Sequence, residues 1–437
     1  MTKNQAKQPR TEFPDCFVFR RGAMHLNKIK DSDIEIFNLI KDEEKRQSEG
    51  IELIASENYA SPAVMEAMGS VLTNKYSEGY PGKRYYAGNE IVDKIENLAI
   101  ARVKKLFGAE YVNIQPLSGS PANLAVFFAL LKPGDKIMAL SLDQGGHLTH
   151  GHALNFSGKF YKIIPYFVDK KTETIDMKEV EKIALCEKPK LIIAGFTAYP
   201  RKIDWRGFCK IADRVGAILM GDISHTAGLI AGGVLENPVP ICDIVTTTTH
   251  KTLRGPRGAI IMSKERYSRD LARAVFPGLQ GGPHDHVNAA KAVCFGEALR
   301  SSFKTYAKQV VKNAQKLAEE LEHHGFRLVS GGTDTHLILI DMSSKGLSGK
   351  EAEVILDKAG LSTNKNMIPY DNRKPLDPSG LRLGTAAATT RGMKEKEMTQ
   401  IAKWIDETIK NRNVDKKIGE IKKEIIKFCK KFPVPGV

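Results

Sequence analysis

Between residues 110 and 262, short apolar runs alternate with stretches of helical spacing, and no other feature narrows the possible folds so far. The runs at 136–140, 191–194, 217–220, 244–247 and 259–262 are too short for helices, and helical patterns such as 208–215 lie between them. Strand, helix and strand in that order give right-handed crossover units and a mostly parallel sheet covered on both faces. Such a sheet gathers ligands at the carboxyl ends of its strands. The expected fold class is α/β. A long helix at about 303–324, stopped at Gly325, then leads into a smaller α+β region. Strands are expected there near 326–329 and 336–340, and helices near 348–359 and 393–410.

At 437 residues the chain is long for one core. The expected division is an N-terminal arm and helix over 1–50, a large domain over 51–302 and a small domain over 303–437. Ser32-Asp33-Ile34-Glu35 reads as a capping box. Ile36, Leu39 and Ile40 give the helix behind it an apolar stripe with no core of its own, so it should lie on the main body or on a partner. Residues 51–90 form a polar, aromatic, glycine-rich connection of the kind that is more often functional than idle.

Six cysteines, at 16, 186, 209, 242, 294 and 429, lack C-x-x-C spacing, which argues against a zinc site or a disulfide framework and fits a reducing cytosol. No apolar run approaches the ~18–20 residues that span a bilayer. The first 25 residues carry Arg20-Arg21 but no signal-peptide core; Glu12 and Asp15 speak against a transit peptide, and Met24 is a candidate start. The net charge of +15 raises the possibility of a polyanion partner. Most lysines, however, are interleaved with glutamate, as over 304–323 and 394–410, which is the pattern of a solvated face. Beneath the basic run 416–431, Ile418, Ile421, Ile425 and Phe428 recur at helical spacing, so a docked amphipathic helix is expected.

The chemistry centres on Thr246 to Gly258, which follows the apolar run 241–245 and ends in a Gly/Pro/Arg loop. Lys251, on a hinge between two buried strands, reaches bulk water poorly. Its ammonium is a candidate for a lowered pKa and its amine for carbonyl attack, as pyridoxal phosphate requires. A solvated loop lysine beside a threonine run is the plain alternative. Ser118-Gly119-Ser120-Pro121-Ala122-Asn123 follows the strand-like run 111–114 and opens an apolar helix. Ser120 is the expected cap and Pro121 the first helical residue; free amides there would suit a phosphate, unless this is only a well-capped helix.

Asp222 and His225 follow the run 217–220, at the ligand edge of the sheet. A buried carboxylate there would keep a pyridinium nitrogen protonated. A turn cap and a satisfied core histidine are the alternatives. Gly145 to Gly151 frames His147 and His150 with no third metal ligand, so stacking of His147 on a flat cofactor ring suits it better than a metal. Glu78 stands among Tyr76, Tyr80, Tyr85 and Tyr86, where aromatic faces would raise its pKa and let it pass a proton; a structural aromatic loop is the other reading. Arg382, flanked by apolar residues, needs an anion, either a substrate carboxylate or an internal ion pair.

Together these segments closely resemble the serine hydroxymethyltransferase family over roughly residues 27–410. The most specific parts are Leu53-Ile54-Ala55-Ser56-Glu57-Asn58-Tyr59 and the Thr246 to Gly258 run, and 276–283 looks like the family's inter-subunit loop. The resemblance implies a fold-type I pyridoxal-phosphate transferase, with a mostly parallel seven-stranded sheet in its large domain. Lys251 would form the Schiff base, Asp222 would pair with the ring nitrogen and His147 would stack on the ring. Ser118, Gly119 and Ser120 would hold the phosphate, helped by Gly282 of the partner subunit. Thr197, Thr248 and His225 would meet the cofactor's edge and phenolic oxygen, with His250 also in the cofactor set. Arg382 and Ser56 would grip the amino-acid carboxylate. Glu78 would transfer a proton beside Tyr76 and Tyr86, and Leu142, Gly146, His147 and Leu148 would receive the folate.

The implied reaction is the interconversion of L-serine and glycine, with the one-carbon unit passing to tetrahydrofolate or a modified pterin. The implied setting is a cytoplasmic homodimer with shared active sites, or a tetramer, with no metal, nucleic acid or membrane. Departures from the family's usual pattern are Ala259 for Gly, Ala386 for Pro, Gln144 for a common histidine and Pro121 where Gln is frequent. The nearest rival is a threonine aldolase of the same fold acting without folate, against which the Glu78 and 145–151 loops argue.

Overall fold

The structure, a computed structural model, describes residues 27–437. Arg20-Arg21, the acidic residues weighed against a transit peptide and the candidate start at Met24 lie outside the described residues. The seven-stranded sheet runs Tyr111–Asn113, Ala259–Ser263, Ile244–Thr248, Ile218–Asp222, Leu191–Gly195, Lys136–Leu140, Lys162–Tyr166. Only Ala259–Ser263 opposes its neighbours. It returns from Ile244–Thr248 across the Lys251 hinge, with Ala259 paired to Thr248. The apolar runs seen in the sequence became strands within a residue or two of their expected ends. One strand of this sheet, Lys162–Tyr166, has no counterpart among the expected runs: it sits at the sheet edge, where Pro165 lacks an amide and only alternate residues are buried.

Two cores follow. The first packs Phe107, Tyr166, Phe208 and Phe295 against the large sheet, all at most 1% exposed. The second gathers around a four-stranded antiparallel sheet of Arg327–Leu328, Leu337–Asp341, Gly380–Gly384 and Asn364–Asn366. Ile51 and Leu53 belong to that second core, and Ile51 pairs in parallel with Leu361. Helix Ser301–His323 ties the two together: Phe303, Ala307 and Val310 enter the first core, Leu317 and Leu321 the second. Gly325, at φ 77°, takes the left-handed conformation that turns the chain out of this helix.

The capping box at Ser32 is not formed. Ser32 closes a short helix, Asn27–Ser32, and Asp33 instead caps Ile34–Glu49 by accepting the Ile36 amide at 3.0 Å. No residue of Ile34–Glu49 is buried, so its apolar stripe finds no core among the described residues. The C-terminal helix Asp415–Cys429 does dock, burying Ile418, Ile421 and Ile425 while its lysines face outward. Among the described residues no helix is long and apolar enough to cross a membrane.

Candidate active site

A cleft of about 270 Å³ opens at the carboxyl ends of the parallel strands. It collects Ser56, Ser118, Gly119, Ser120, His147, Thr197, Asp222, His225, Thr248, His250, Lys251 and Arg382. Asp222 and Thr248 are the last residues of their strands, and Thr197 and Lys251 follow within two or three positions. Helix Gly119–Leu130 aims its N-terminus at the same cleft. Its cap position is Ser118 rather than Ser120, which lies with Pro121 inside the first turn. No side chain caps this terminus, so amides and hydroxyls of the turn stay available to an anion. A Cβ on Gly119 would lie 2.8 Å from Thr248 Cγ2; the bare glycine lets helix tip and strand end meet.

Asp222 is buried and saturated with donors. Ser224 Oγ donates to Oδ1 at 2.6 Å, while Asn123 Nδ2 and His150 Nε2 reach Oδ2 at 2.9 and 3.1 Å. Burial opposes its ionisation, but the hydrogen bond and charge of His150 prevail and hold the carboxyl well below the usual range. Thr246 Oγ1 donates to Asn123 Oδ1 at 2.7 Å, extending this network into the sheet. Lys251 Nζ donates to Thr248 Oγ1 at 2.8 Å. Burial pulls its ammonium down to about 8; Asp222 opposes the shift, and Arg257 and Arg382 add to it. Burial also pulls His147 to about 4 and His250 to about 3, so both rings are neutral near pH 7. His225 falls well below the ordinary imidazole value, by burial first and then by the charges of Lys251 and Arg382. Its ring touches Thr197 Oγ1 at 3.3 Å and His336 Nε2 at 3.4 Å.

Arg382 donates from Nε to Asn364 Oδ1 at 3.0 Å and from Nη1 to the Thr197 carbonyl at 2.6 Å. Burial alone lowers its pKa to about 10, and among the described residues no carboxylate pairs with it. The internal ion pair is therefore not what holds this guanidinium.

Tyr76, Glu78, Tyr86 and Gly282 gather elsewhere. Tyr76 Oη lies 3.3 Å from Glu78 Oε1, the Tyr76 and Tyr86 rings meet edge to face at 5.3 Å, and a Cβ on Gly282 would touch the Tyr76 ring at 3.4 Å. Tyr76 and Tyr86 are about half exposed, at 54% and 50%, and none of the four lines this chain's own cleft. Leu142, Gly146 and Leu148 flank His147 without lining the cleft; Gly146 is glycine of necessity, since a Cβ would stand 2.1 Å from the Leu140 carbonyl oxygen. Gln144, the departure from a common histidine, is buried and accepts the Val168 amide at 2.8 Å.

Four residues with no expected role, Asn123, His150, Ser224 and Asn364, hydrogen-bond to Asp222 or Arg382. Asn123 carried a signal: it lies one helical turn beyond Gly119 and so shares the cleft-facing side of the helix. His150 was weighed only as half of a metal pair with His147, yet it turns to Asp222.

A helix N-terminus for a phosphate, a buried carboxylate for a ring nitrogen and a desolvated lysine, set on this sheet, fit pyridoxal phosphate. They define a fold-type I pyridoxal-phosphate enzyme. The serine hydroxymethyltransferase family model matches residues 29–405. The chain is 57% identical over 408 residues to the serine hydroxymethyltransferase of Legionella pneumophila (strain Lens), covering 93% of this chain and 98% of that one. It is 55% identical over 406 residues to that of Koribacter versatilis (strain Ellin345), covering 93% and 95%. The chain belongs to the serine hydroxymethyltransferase family, whose members use pyridoxal phosphate and take tetrahydrofolate as co-substrate.

Proposed function

We propose that this cleft interconverts L-serine and glycine and passes the one-carbon unit to tetrahydrofolate or a modified pterin. The observation that carries the assignment is the presence, in one cleft, of a desolvated Lys251 amine and a buried Arg382 guanidinium with no carboxylate of its own. The first suits an aldehyde, the second an amino-acid carboxylate.

Bound there, pyridoxal phosphate supplies an electrophilic carbon and a ring that draws electrons from the substrate's Cα. Lys251, the desolvated amine of the cleft, would hold the cofactor's aldehyde. Ser118, Gly119 and Ser120 would hold the phosphate, the ionised Asp222 would keep a proton at the ring nitrogen, and neutral His147 would cover a ring face. Thr197, Thr248, His225 and His250 fix the cofactor's edge. Arg382 and Ser56 hold the substrate carboxylate and so settle which bond at Cα breaks. The partner subunit's Glu78, with the partner's Tyr76, the partner's Tyr86 and the partner's Gly282, completes the site in a homodimer, and Glu78 moves the proton of the serine hydroxyl. Leu142, Gly146 and Leu148 receive the pterin beside His147. A cytoplasmic setting keeps the described cysteines, none of them paired, reduced.

The test is serine cleavage by the purified protein with and without tetrahydrofolate. Cleavage that depends on the folate is expected. Efficient threonine cleavage with no folate-dependent serine activity would overturn the assignment in favour of an aldolase.

A further inference from the structure

Lys291 is 1% exposed, on helix Asp285–Ala298 beneath the segment that leads into the phosphate helix. Its Nζ donates to the carbonyls of Ile114 at 2.5 Å and Pro116 at 3.1 Å, with Asn288 Oδ1 at 3.4 Å. Gln280 holds the residues between and after them, donating to the Gln115 carbonyl at 3.0 Å and accepting the Leu117 amide at 3.2 Å. On its other side Lys291 abuts the lysine hairpin: a Cβ on Gly258 would stand 2.5 Å from Lys291 Cε. Among the described residues no carboxylate lies within ion-pairing distance of this ammonium. Glu96, the one acid whose charge favours it, is already paired with Arg84 at 2.6 Å. A buried cation without a counter-ion is costly, and a hydrophobic residue would fill the same space at less cost. Burial accordingly brings its pKa down to about 7.

We propose that Lys291 is a positioning residue for the cofactor's phosphate: by drawing the Ile114 and Pro116 carbonyls inward it fixes the approach to Ser118–Ser120. This rests on the reading that Ser118–Ser120 hold a phosphate. Lys291 itself does not line the cleft.

Cofactor stripped from the full-length holoenzyme is replaced by pyridoxal phosphate or by pyridoxal, which has no phosphate, and both dissociation constants are measured by fluorescence quenching. In the wild type, a strong preference for the phosphorylated form is expected; equal affinities would overturn the phosphate reading itself. In Lys291→Met, that preference should fall by about tenfold or more, with pyridoxal binding little changed. Lys291→Gln, which keeps a donor but drops the charge, should show a smaller loss in the same direction, and it serves if the methionine variant does not fold. If pyridoxal and pyridoxal phosphate weaken equally in either variant, or neither weakens, Lys291 is only a core residue and the proposal fails.

Discussion

His150 Nε2 lies 3.1 Å from Asp222 Oδ2 on the floor of the cleft, with both side chains buried. The contact matters because burial disfavours the charged form of Asp222, and the hydrogen bond and charge of His150 lead the interactions that outweigh it. Asp222→Asn keeps the shape but loses the charge, and should lower kcat for serine cleavage by about 10²–10³ at saturating cofactor. His150→Leu removes one of the donors, and a drop of about tenfold is expected. An unchanged kcat in Asp222→Asn would mean that ring-nitrogen protonation is not this carboxylate's task.

Lys251 should carry the cofactor covalently. Borohydride reduction followed by peptide mass analysis should find the label on Lys251 and none in Lys251→Ala. The pH dependence has a definite sign. The attacking form is the neutral amine, and burial pulls the ammonium down to about 8. Recombination of cofactor with the stripped protein should therefore quicken as pH rises towards 8 and level off above it. A plateau reached only near the ordinary lysine value of 10.5 would show that the hinge does not desolvate this side chain.

Much of this site was legible because the residues that mark it stand at strand ends, and strand ends were visible as the last apolar residues of short runs. Lys251, Asp222 and His225 follow directly from that alternation, whereas Thr197 came only with the family resemblance. What escaped notice depends on contacts distant in sequence. Asn123 reaches Asp222 across 99 positions, and Arg382 finds the Thr197 carbonyl across 185. No local pattern encodes either pairing, although the place of Asn123 one turn beyond Gly119 sets it on the cleft-facing side of its helix. Local differences have local causes: Pro121 suits a first helical position and so points to Ser120 as the cap, but the helix begins at Gly119 with Ser118 before it. At Ser32 the box pattern was real, but the residue was already committed to another helix.

Arg382 makes two hydrogen bonds to neutral acceptors and has no charged partner among the described residues. Removing it should therefore cost substrate affinity more than it disturbs the fold. Arg382→Leu should raise KM for serine by about 10²-fold or more, and Arg382→Lys by about tenfold, since an ammonium lacks the guanidinium's fork. Thermal unfolding of the cofactor-free variants separates the two effects: a collapse in Tm with normal KM in the surviving protein would assign Arg382 to structure instead.

The Tyr76–Glu78–Tyr86 cluster is half exposed and stands apart from the cleft of its own chain, while Tyr85 and Val71 nearby in sequence are 73% and 80% exposed. Exposed aromatic patches of this kind mark contact surfaces, and in a two-fold dimer one such patch can complete the other subunit's site. Glu78→Gln and Lys251→Ala should each be nearly inactive alone. If the site is shared, unfolding and refolding them together creates mixed dimers in which one of the two clefts has both wild-type residues. About a quarter of wild-type activity should then return, because half of the dimers are mixed and half of their sites are intact. If both residues served the same chain's cleft, every site in every dimer would lack one of them. Mixing would then restore nothing.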